Sequence, residues 1–518
     1  MTLSDEGKTA SHRSLRELLE ARAAASPEKV FLFSECDGRR FTYREFDGAV
    51  NRLANMLAAR GTAKGDVVSL LMPNSAEYIV AYFACFKLGA LAGPVNSLLK
   101  PEETAYVVGN SEAKLLLYNS QFAGQVEEIR GRLEGLREAV AFDDVAEATK
   151  GHSTEAGVWS ETPLARDDEA IIIYTSGTTG RPKGCLLTHG NLIANARQIV
   201  EWLGFTKDDR LLSIMPLFHM NAVSVTTMSA LYAAGSTVVS PRFSASRFWQ
   251  IISEYQITSF GSVATMLSML LATYPDGVPE GLSTRRLRFA MCGSAPVPAA
   301  VMRRFEQTFN CPVVEGYGLS ESTCRSTFNP FDDRRRAGSC GLSIGNEMRV
   351  VDEDDNELPD GAPGEIVMRG ENIFKGYFKN EEATRRAFRG GWFHTGDVGF
   401  RDAEGFFHIV DRKSDMIIRG GENIYPREID ELLYKHTAVA EAAAIGVPDE
   451  LYGEEVVAFV VLKSGQAVTE DEIRAYCREH LADYKCPKRV SIVESLPKGP
   501  TGKVLKRELQ SLWRKKDG

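Results

Sequence analysis

The stretch that most restricts how this chain can fold is an apolar run, Ile171-Ile172-Ile173, that leads directly into Tyr174-Thr175-Ser176-Gly177-Thr178-Thr179-Gly180-Arg181-Pro182-Lys183-Gly184. Three consecutive β-branched residues read as a buried strand. The loop behind them consists of glycines, hydroxyls and one lysine. Glycines let backbone N–H groups approach an anion closely, hydroxyls donate hydrogen bonds, and Lys183 adds positive charge. The pattern predicts a polyphosphate cradle at the end of a strand. A helix is expected next, with Leu192, Ile193, Ala196, Ile199, Val200 and Leu203 on its apolar side. The string is not a Walker A loop, because Lys183 follows Pro182 and precedes Gly184. It is not GxGxxG either, because two threonines separate Gly177 from Gly180.

The surrounding sequence alternates strand-like and helix-like segments. Val67–Leu71 reads as a buried strand, Pro73-Asn74-Ser75 breaks it and can cap a helix, and Ile79, Phe83, Phe86 and Ala90 recur at helical spacing. A further apolar run covers Ala113–Tyr118. Such alternation implies parallel strands with helices on their faces. Residues 345–380 change character: Met348–Val351 and Glu365–Met368 are short strand-like runs separated by the turn formers Asp354-Asp355-Asn356 and Pro359-Asp360-Gly361. Beyond the polar stretch Asp411–Asp415 come an apolar strand at Val456–Leu462, a capping box at Thr469 and Glu472, a strand at Val490–Val493 and a basic amphipathic final segment. The expected fold is α/β: a large N-terminal domain of helix-covered sheets plus a small barrel-like subdomain (1–411), followed by a small mobile α+β C-terminal domain (412–518). A chain of 518 residues exceeds one compact core.

Composition removes several function classes. With 61 basic and 70 acidic side chains the net charge is −9, the wrong sign for a protein whose main partner is nucleic acid. The run Arg334–Arg336 is expected to be a solvated turn. No apolar run approaches the ~18–20 residues that cross a bilayer, and the first residues lack the basic start and apolar core of a signal peptide. The nine cysteines are scattered and never form CxxC, and the eight histidines never form HxxxH. These features suggest a reduced, cytoplasmic protein without a zinc framework.

The string YTSGTTGRPKG resembles the phosphate loop of the adenylate-forming superfamily, which holds acyl-CoA synthetases, peptide-synthetase adenylation domains and luciferases. Further segments resemble the family's other motifs, in order, along nearly the whole chain. Met215-Pro216-Leu217-Phe218-His219 is similar to the segment whose aromatic or histidine side chain walls the acyl pocket. Gly293-Ser294-Ala295-Pro296 is similar to the turn whose backbone lies along adenine. Glu315-Gly316-Tyr317-Gly318-Leu319-Ser320-Glu321-Ser322 is similar to the motif in which the tyrosine stacks on adenine, the hydroxyl (here Ser320, where Thr is commonest) contacts the α-phosphate, and the glutamate holds Mg²⁺. Thr175 joins Glu321 as an expected metal ligand. Trp392-Phe393-His394-Thr395-Gly396-Asp397 is similar to the segment whose aspartate accepts both ribose hydroxyls. The stretch from Asp411 to Pro426 resembles the hinge, with Arg412 expected at ribose or phosphate, Ser414 where Asp or Lys is usual, and Gly420-Gly421-Glu422 lining a pantetheine tunnel. Pro497-Lys498-Gly499-Pro500-Thr501-Gly502-Lys503 is similar to the C-terminal motif that carries the catalytic lysine, here Lys503.

The resemblance, which is strongest to fatty and carnitine-type carboxylic acid–CoA ligases, implies an AMP-forming acid–thiol ligase. ATP and coenzyme A would be its co-substrates and Mg²⁺ its cofactor. Lys503, Glu321, Ser320 and His219 would serve catalysis. Thr175 to Gly180 and Lys183 would hold phosphates, while Ser294 to Pro296, Glu315 to Gly318, Asp397 and Arg412 would hold the nucleoside end. Homodimers are common in the family. The acyl pocket is expected among His219, Met220, Val223, Gly261, Ser262, Met266, Gly293, Gly316, Leu319, Ser322 and Thr323. Most of these are apolar or small, which favours a fatty, branched, alicyclic or aromatic acid. Arg325 is expected in a structural ion pair, with a clamp on a second carboxylate as the alternative. Two other readings are an acyl-AMP ligase that loads a carrier protein and an inactive nucleotide-binding homologue.

Overall fold

The helix Ala76–Leu88 lies at the centre of the N-terminal part, and every one of its residues is buried. Its sequence, AEYIVAYFACFKL, is apolar on all sides, as a helix enclosed between two sheets requires. Ser75 caps its N-terminus by accepting from the Tyr78 N–H, and Gly89 ends it in the left-handed conformation. Its one cation, Lys87, is 1% exposed and pairs with Asp47 at 2.7 Å and Glu20 at 3.1 Å. The computed structural model describes residues 12–175, 182–294, 297–412, 415–420, 422–499 and 504–517.

Two seven-stranded sheets flank this helix and share its core. One runs in the order 313–315, 289–292, 259–262, 210–213, 236–239, 30–34, 40–42, parallel except for the last strand. The other runs 376–377, 183–188, 169–175, 91–94, 67–71, 115–118, 138–141. The expected strand Val67–Leu71 lies beside Leu115–Tyr118, which takes up most of the apolar run Ala113–Tyr118. One expectation is corrected. The loop after Thr175 does not run straight into a helix. Lys183–Thr188 forms a strand antiparallel to Glu169–Thr175, and the helix His189–Leu203 begins only after it. Cys185 and Leu187 of this strand are buried, and Thr188 then caps the helix in a box with Asn191. The expected phosphate loop thus joins two antiparallel strands, and its cationic end, Lys183, faces Thr175 across the ladder.

The barrel-like subdomain is a five-stranded antiparallel sheet built on Glu347–Val351, Gly364–Arg369 and Trp392–Arg401. Phe407–Arg412 pairs with Trp392–Arg401. Arg412 is the last residue of that strand, so the division placed after 411 falls one residue inside it. The Arg334–Arg336 turn is ion-paired throughout, to Asp332, Glu306, and Asp402 with Glu404.

The C-terminal part is a five-stranded sheet dominated by the long hairpin Val439–Asp449 and Gly453–Leu462, covered by the helices Pro426–Lys435, Glu470–His480 and Lys506–Asp517. The predicted box at Thr469 and Glu472 caps the second helix. The first helix packs on the subdomain. The Arg427 N–H donates to Asp411 Oδ2 at 3.0 Å, and its guanidinium donates to the Ile409 carbonyl.

Candidate active site

Three elements distant in sequence converge where the expected phosphate loop begins. The short strand Gly376–Tyr377 adds to the edge of the sheet, with Tyr377 opposite Cys185. This places the Tyr377 ring under Lys183, whose ammonium lies 5.1 Å from the ring centroid. The same Tyr377 hydroxyl donates to Glu321 Oε1 at 3.0 Å. Glu321 sits in a short turn, Ser320–Ser322, and its carbonyl accepts from the Phe374 N–H at 2.8 Å. One aromatic side chain therefore joins the predicted phosphate lysine to the predicted metal carboxylate. Half-buried Ser320 precedes Glu321 in sequence, and half-buried Thr175 faces Lys183 across the ladder.

Glu321 is buried, and burial raises its carboxyl above the ordinary range. The Tyr377 hydroxyl opposes that shift, because it donates to the ionised form. Replacing Tyr377 by phenylalanine is therefore expected to raise the Glu321 pKa further. The acid limb of kcat/KM should move to higher pH, with the rate at pH 8 within about threefold of the parent. A pH–rate profile of the two proteins checks this, and an unmoved limb removes Tyr377 from the role.

A second cluster lies on the barrel-like sheet. Asp397 and Arg412 face each other in register, with Arg412 Nε 3.2 Å from Asp397 Oδ1. The other carboxylate oxygen accepts from the Tyr317 hydroxyl at 2.5 Å. Three residues singled out from separate motifs thus form one contiguous group. Burial pushes the Tyr317 phenol well above its usual range, so it stays a donor.

Glu315 starts the Tyr317 segment and is buried. Its Oε1 accepts the Val297 N–H at 3.1 Å, and burial raises its pKa to about 7. Gly316 and Gly318 pass close to the returning chain: an added Cβ would meet the Thr327 carbonyl oxygen at 2.6 Å and the Cys324 carbonyl oxygen at 2.0 Å, respectively. Ser294 is exposed and holds a left-handed φ of 67°, a conformation that costs a non-glycine residue free energy.

His219 packs on Phe218 with ring centroids 4.6 Å apart. Burial lowers its pKa to about 4, so the imidazole is neutral near pH 7. Its Nε2 has no hydrogen-bond partner among the described residues. A π-helical segment, Asn221–Met228, follows directly and is buried throughout. Gly420 donates its N–H to the Tyr452 carbonyl at 2.8 Å, and exposed Glu422 opens a short strand that ends on the buried Ile424. Ser176, Gly177, Thr178, Thr179, Gly180, Ala295, Pro296, Ser414, Gly421 and Lys503 lie outside the described residues. The residues flanking Lys503 are placed: Lys498 and Val504 form an antiparallel bridge, and the Leu505 N–H donates to the Pro497 carbonyl at 2.8 Å.

Tyr377 and the π-helical segment are features of the candidate site that the motifs did not reveal. Only long-range strand pairing brings residue 377 to residues 183 and 321, so no local spacing could have signalled it. Among the described residues no three His, Cys, Asp or Glu side chains gather into a metal-ion cluster, and no helix is long and apolar enough to cross a membrane.

This geometry agrees with what the chain is similar to. The AMP-binding enzyme family matches residues 19–378, and the AMP-binding enzyme C-terminal domain matches 428–503. Sulfoacetate–CoA ligase of Cupriavidus necator is 37% identical over 508 residues, covering 96% of this chain and 97% of that protein. Long-chain-fatty-acid–CoA ligase FadD13 of Mycobacterium tuberculosis is 36% identical over 503 residues, covering 96% and 98%. The crystal structure of ATP-bound MatB from Rhodopseudomonas palustris superposes with a TM-score of 0.89 at 32% identity, over 96% of this chain and 99% of that one. The chain belongs to the AMP-binding enzyme family and is an adenylate-forming acyl-CoA ligase.

Proposed function

We propose that the protein joins a carboxylic acid to coenzyme A in two steps at one site. A carboxylate is a poor electrophile, because displacement at its carbon would expel oxide. In the first step a carboxylate oxygen attacks the α-phosphorus of ATP, the bond from that phosphorus to the bridging oxygen breaks, and pyrophosphate leaves with the bond electrons. In the second step the thiol sulfur of coenzyme A, its proton lost, attacks the acyl carbon and AMP leaves. The observation that carries this reading is the junction at Tyr377, which holds Lys183 and the buried Glu321 carboxyl together, with the contiguous group Tyr317–Asp397–Arg412 on the neighbouring sheet.

Each residue has a matching task. Lys183 and the hydroxyls from Thr175 to Thr179 neutralise phosphate oxygens as two anions approach each other. Ser320 donates to the α-phosphate. Asp397, with two acceptor oxygens, suits the ribose hydroxyls, and Arg412 lies beside it, 3.2 Å away. Val297 and the Ser294 to Pro296 turn border the base. Glu321, with Thr175, is the place for Mg²⁺, since one hard carboxylate plus phosphate oxygens and water is a normal magnesium set. When bound, the ion screens the charge between the phosphates. Lys503 reaches the reacting oxygens in the first step, and Gly420, Gly421 and Glu422 face the pantetheine arm in the second. ATP and coenzyme A as co-substrates go with a cytoplasmic setting.

The relatives act on unlike acids, sulfoacetate and long-chain fatty acids, at nearly equal identity to this chain. Overall similarity therefore leaves the acid open. The reaction is tested by acid-dependent pyrophosphate release across short, medium, long, aromatic and twofold-acidic acids, with AMP and thioester followed on adding coenzyme A. Equal amounts of AMP and acyl-CoA are expected. Acyl-AMP that accumulates without thioester would point to a carrier protein as acceptor. ATP binding without pyrophosphate release would rule out the ligase.

A further inference from the structure

Arg325 is 2% exposed, yet the ion pair expected for it is not there: among the described residues no carboxylate lies within ion-pair distance of its guanidinium. The guanidinium carbon lies 5.4 Å from the Phe328 ring centroid, and of its nitrogens only Nη1 has a hydrogen bond, donating to the Gly316 carbonyl at a long 3.3 Å. Nε and Nη2 are buried and have no hydrogen-bond partner. Those two N–H groups form one edge of the guanidinium, the edge that takes a carboxylate side-on. The protein uses that edge elsewhere: Arg419 holds Glu455 through Nε at 2.7 Å and Nη2 at 3.0 Å. In Arg325 the same fork is buried and without a hydrogen-bond partner. A buried cation without a counter-ion is costly, and a fold keeps one when a ligand supplies the missing charge. Glu315, whose carboxyl feels the Arg325 charge, already gives Oε1 to the Val297 N–H, and burial holds its carboxyl near pKa 7, so it is a weak counter-ion.

The location is that of the acid. The guanidinium packs on Gly293, where an added Cβ would meet Nη1 and Nη2 at 2.5 Å. Gly293 directly precedes Ser294, and Gly316 directly precedes Tyr317, so the fork borders the nucleotide segments. It stands at the C-terminal ends of neighbouring parallel strands, where open α/β sheets bind ligands. At the next strand end, Gly261 faces Asn221 Oδ1, and both polar atoms of the Asn221 amide are also buried without partners. Asn195 fixes the Arg325 backbone on both sides, donating to its carbonyl at 2.6 Å and accepting its N–H at 3.3 Å. The fork is therefore held in place before any ligand arrives.

We propose that Arg325 grips a second anionic group on the acid, a carboxylate or a sulfonate, so that the substrate is an organic acid with two acidic groups. One is activated on ATP, and the other is held side-on by Nε and Nη2. This rests on the ligase reading above and replaces the uncharged acid that the apolar lining suggested, since that expectation assumed Arg325 to be spent in an ion pair.

The test is pyrophosphate release by the full chain with matched pairs of acids: malonate and sulfoacetate against propanoate, succinate against butanoate, adipate against hexanoate. The parent protein is expected to favour the twofold acid of at least one pair by about 100-fold or more in kcat/KM, as a site built for a polar group rejects the analogue lacking it. Arg325→Met should erase that ratio, mainly through KM for the acid, while KM for ATP stays put; Arg325→Lys should keep part of it. The sulfonate and carboxylate arms show which anion the fork prefers. Parent protein that uses the single acids as well as the twofold ones overturns the clamp, and this readout needs no variant to fold. An unchanged ratio in Arg325→Met also overturns it. No pyrophosphate with any acid overturns the ligase reading and the clamp with it.

Discussion

Replacing Lys503 by alanine is expected to lower acyl-AMP formation about 1000-fold, as removal of a charge aimed at the transition state does. Thioester formation from supplied acyl-AMP should fall less than about threefold. The asymmetry follows from the two reactions. In the first, a carboxylate meets a triphosphate, and negative charge accumulates on the pentavalent phosphorus and the departing pyrophosphate. An ammonium there lowers the barrier directly. In the second, a thiolate meets an acyl carbon already bonded to a good leaving group, and the phosphate charge changes little. The chain separates the two sets of groups. In sequence Lys503 lies between Lys498 and Val504, which form an antiparallel bridge, whereas Gly420 and Glu422 lie beside Arg419 and Tyr452 at the start of the C-terminal sheet. On this reading the C-terminal part is expected to swing between the two steps. Single-turnover assays begun from acid plus ATP, and separately from acyl-AMP plus coenzyme A, measure the division. Equal loss in both would show that Lys503 serves the fold or both steps.

Much of the site was legible because its chemistry is concentrated in short strings. The hydroxyl-rich loop at Thr175, the Tyr317–Glu321 segment and Asp397 each carry residue types that suit one task, and the structure brings Tyr317, Asp397 and Arg412 into direct contact. Strands such as Val67–Leu71 were readable from their unbroken apolar runs. What escaped depends on pairing between distant segments. Lys183–Thr188 has the composition of a turn leading into a helix, and only its ladder to Glu169–Thr175 makes it a strand. Tyr377 acquires its role because a two-residue strand happens to meet Cys185. Arg325 was misread for the same reason: residue type predicts that a buried arginine is paired, but whether a carboxylate reaches it is a property of the packed site alone.

Gly318→Ala is expected to destabilise the N-terminal part by about 3 kcal/mol, the upper range for overfilling a packed site. The residue lies where the Glu315–Glu321 segment crosses its own return. The Tyr317 carbonyl accepts from the Ser326 and Thr327 N–H groups at 2.9 and 3.1 Å, which binds the two passes together. A methyl on Gly318 would sit 2.0 Å from the Cys324 carbonyl oxygen and 2.9 Å from the Arg325 Cα. Both are backbone atoms, so no rotamer change relieves the clash and the passes must separate. That movement carries Tyr317 away from Asp397, Glu321 away from Tyr377, and the Arg325 fork away from Gly293. ATP binding should therefore weaken along with stability. Gly124→Ala serves as a control, since that glycine has open space around it in the helix Ala123–Arg130 and should change stability by less than about 0.5 kcal/mol. Denaturant midpoints of the three proteins, with and without ATP, decide the matter. A Gly318→Ala protein that unfolds with the parent would mean that the two passes are not in backbone contact. The nucleotide motif would then be held by its side chains alone, and tolerance of a methyl at Gly316, where the Thr327 carbonyl oxygen stands 2.6 Å from an added Cβ, should follow.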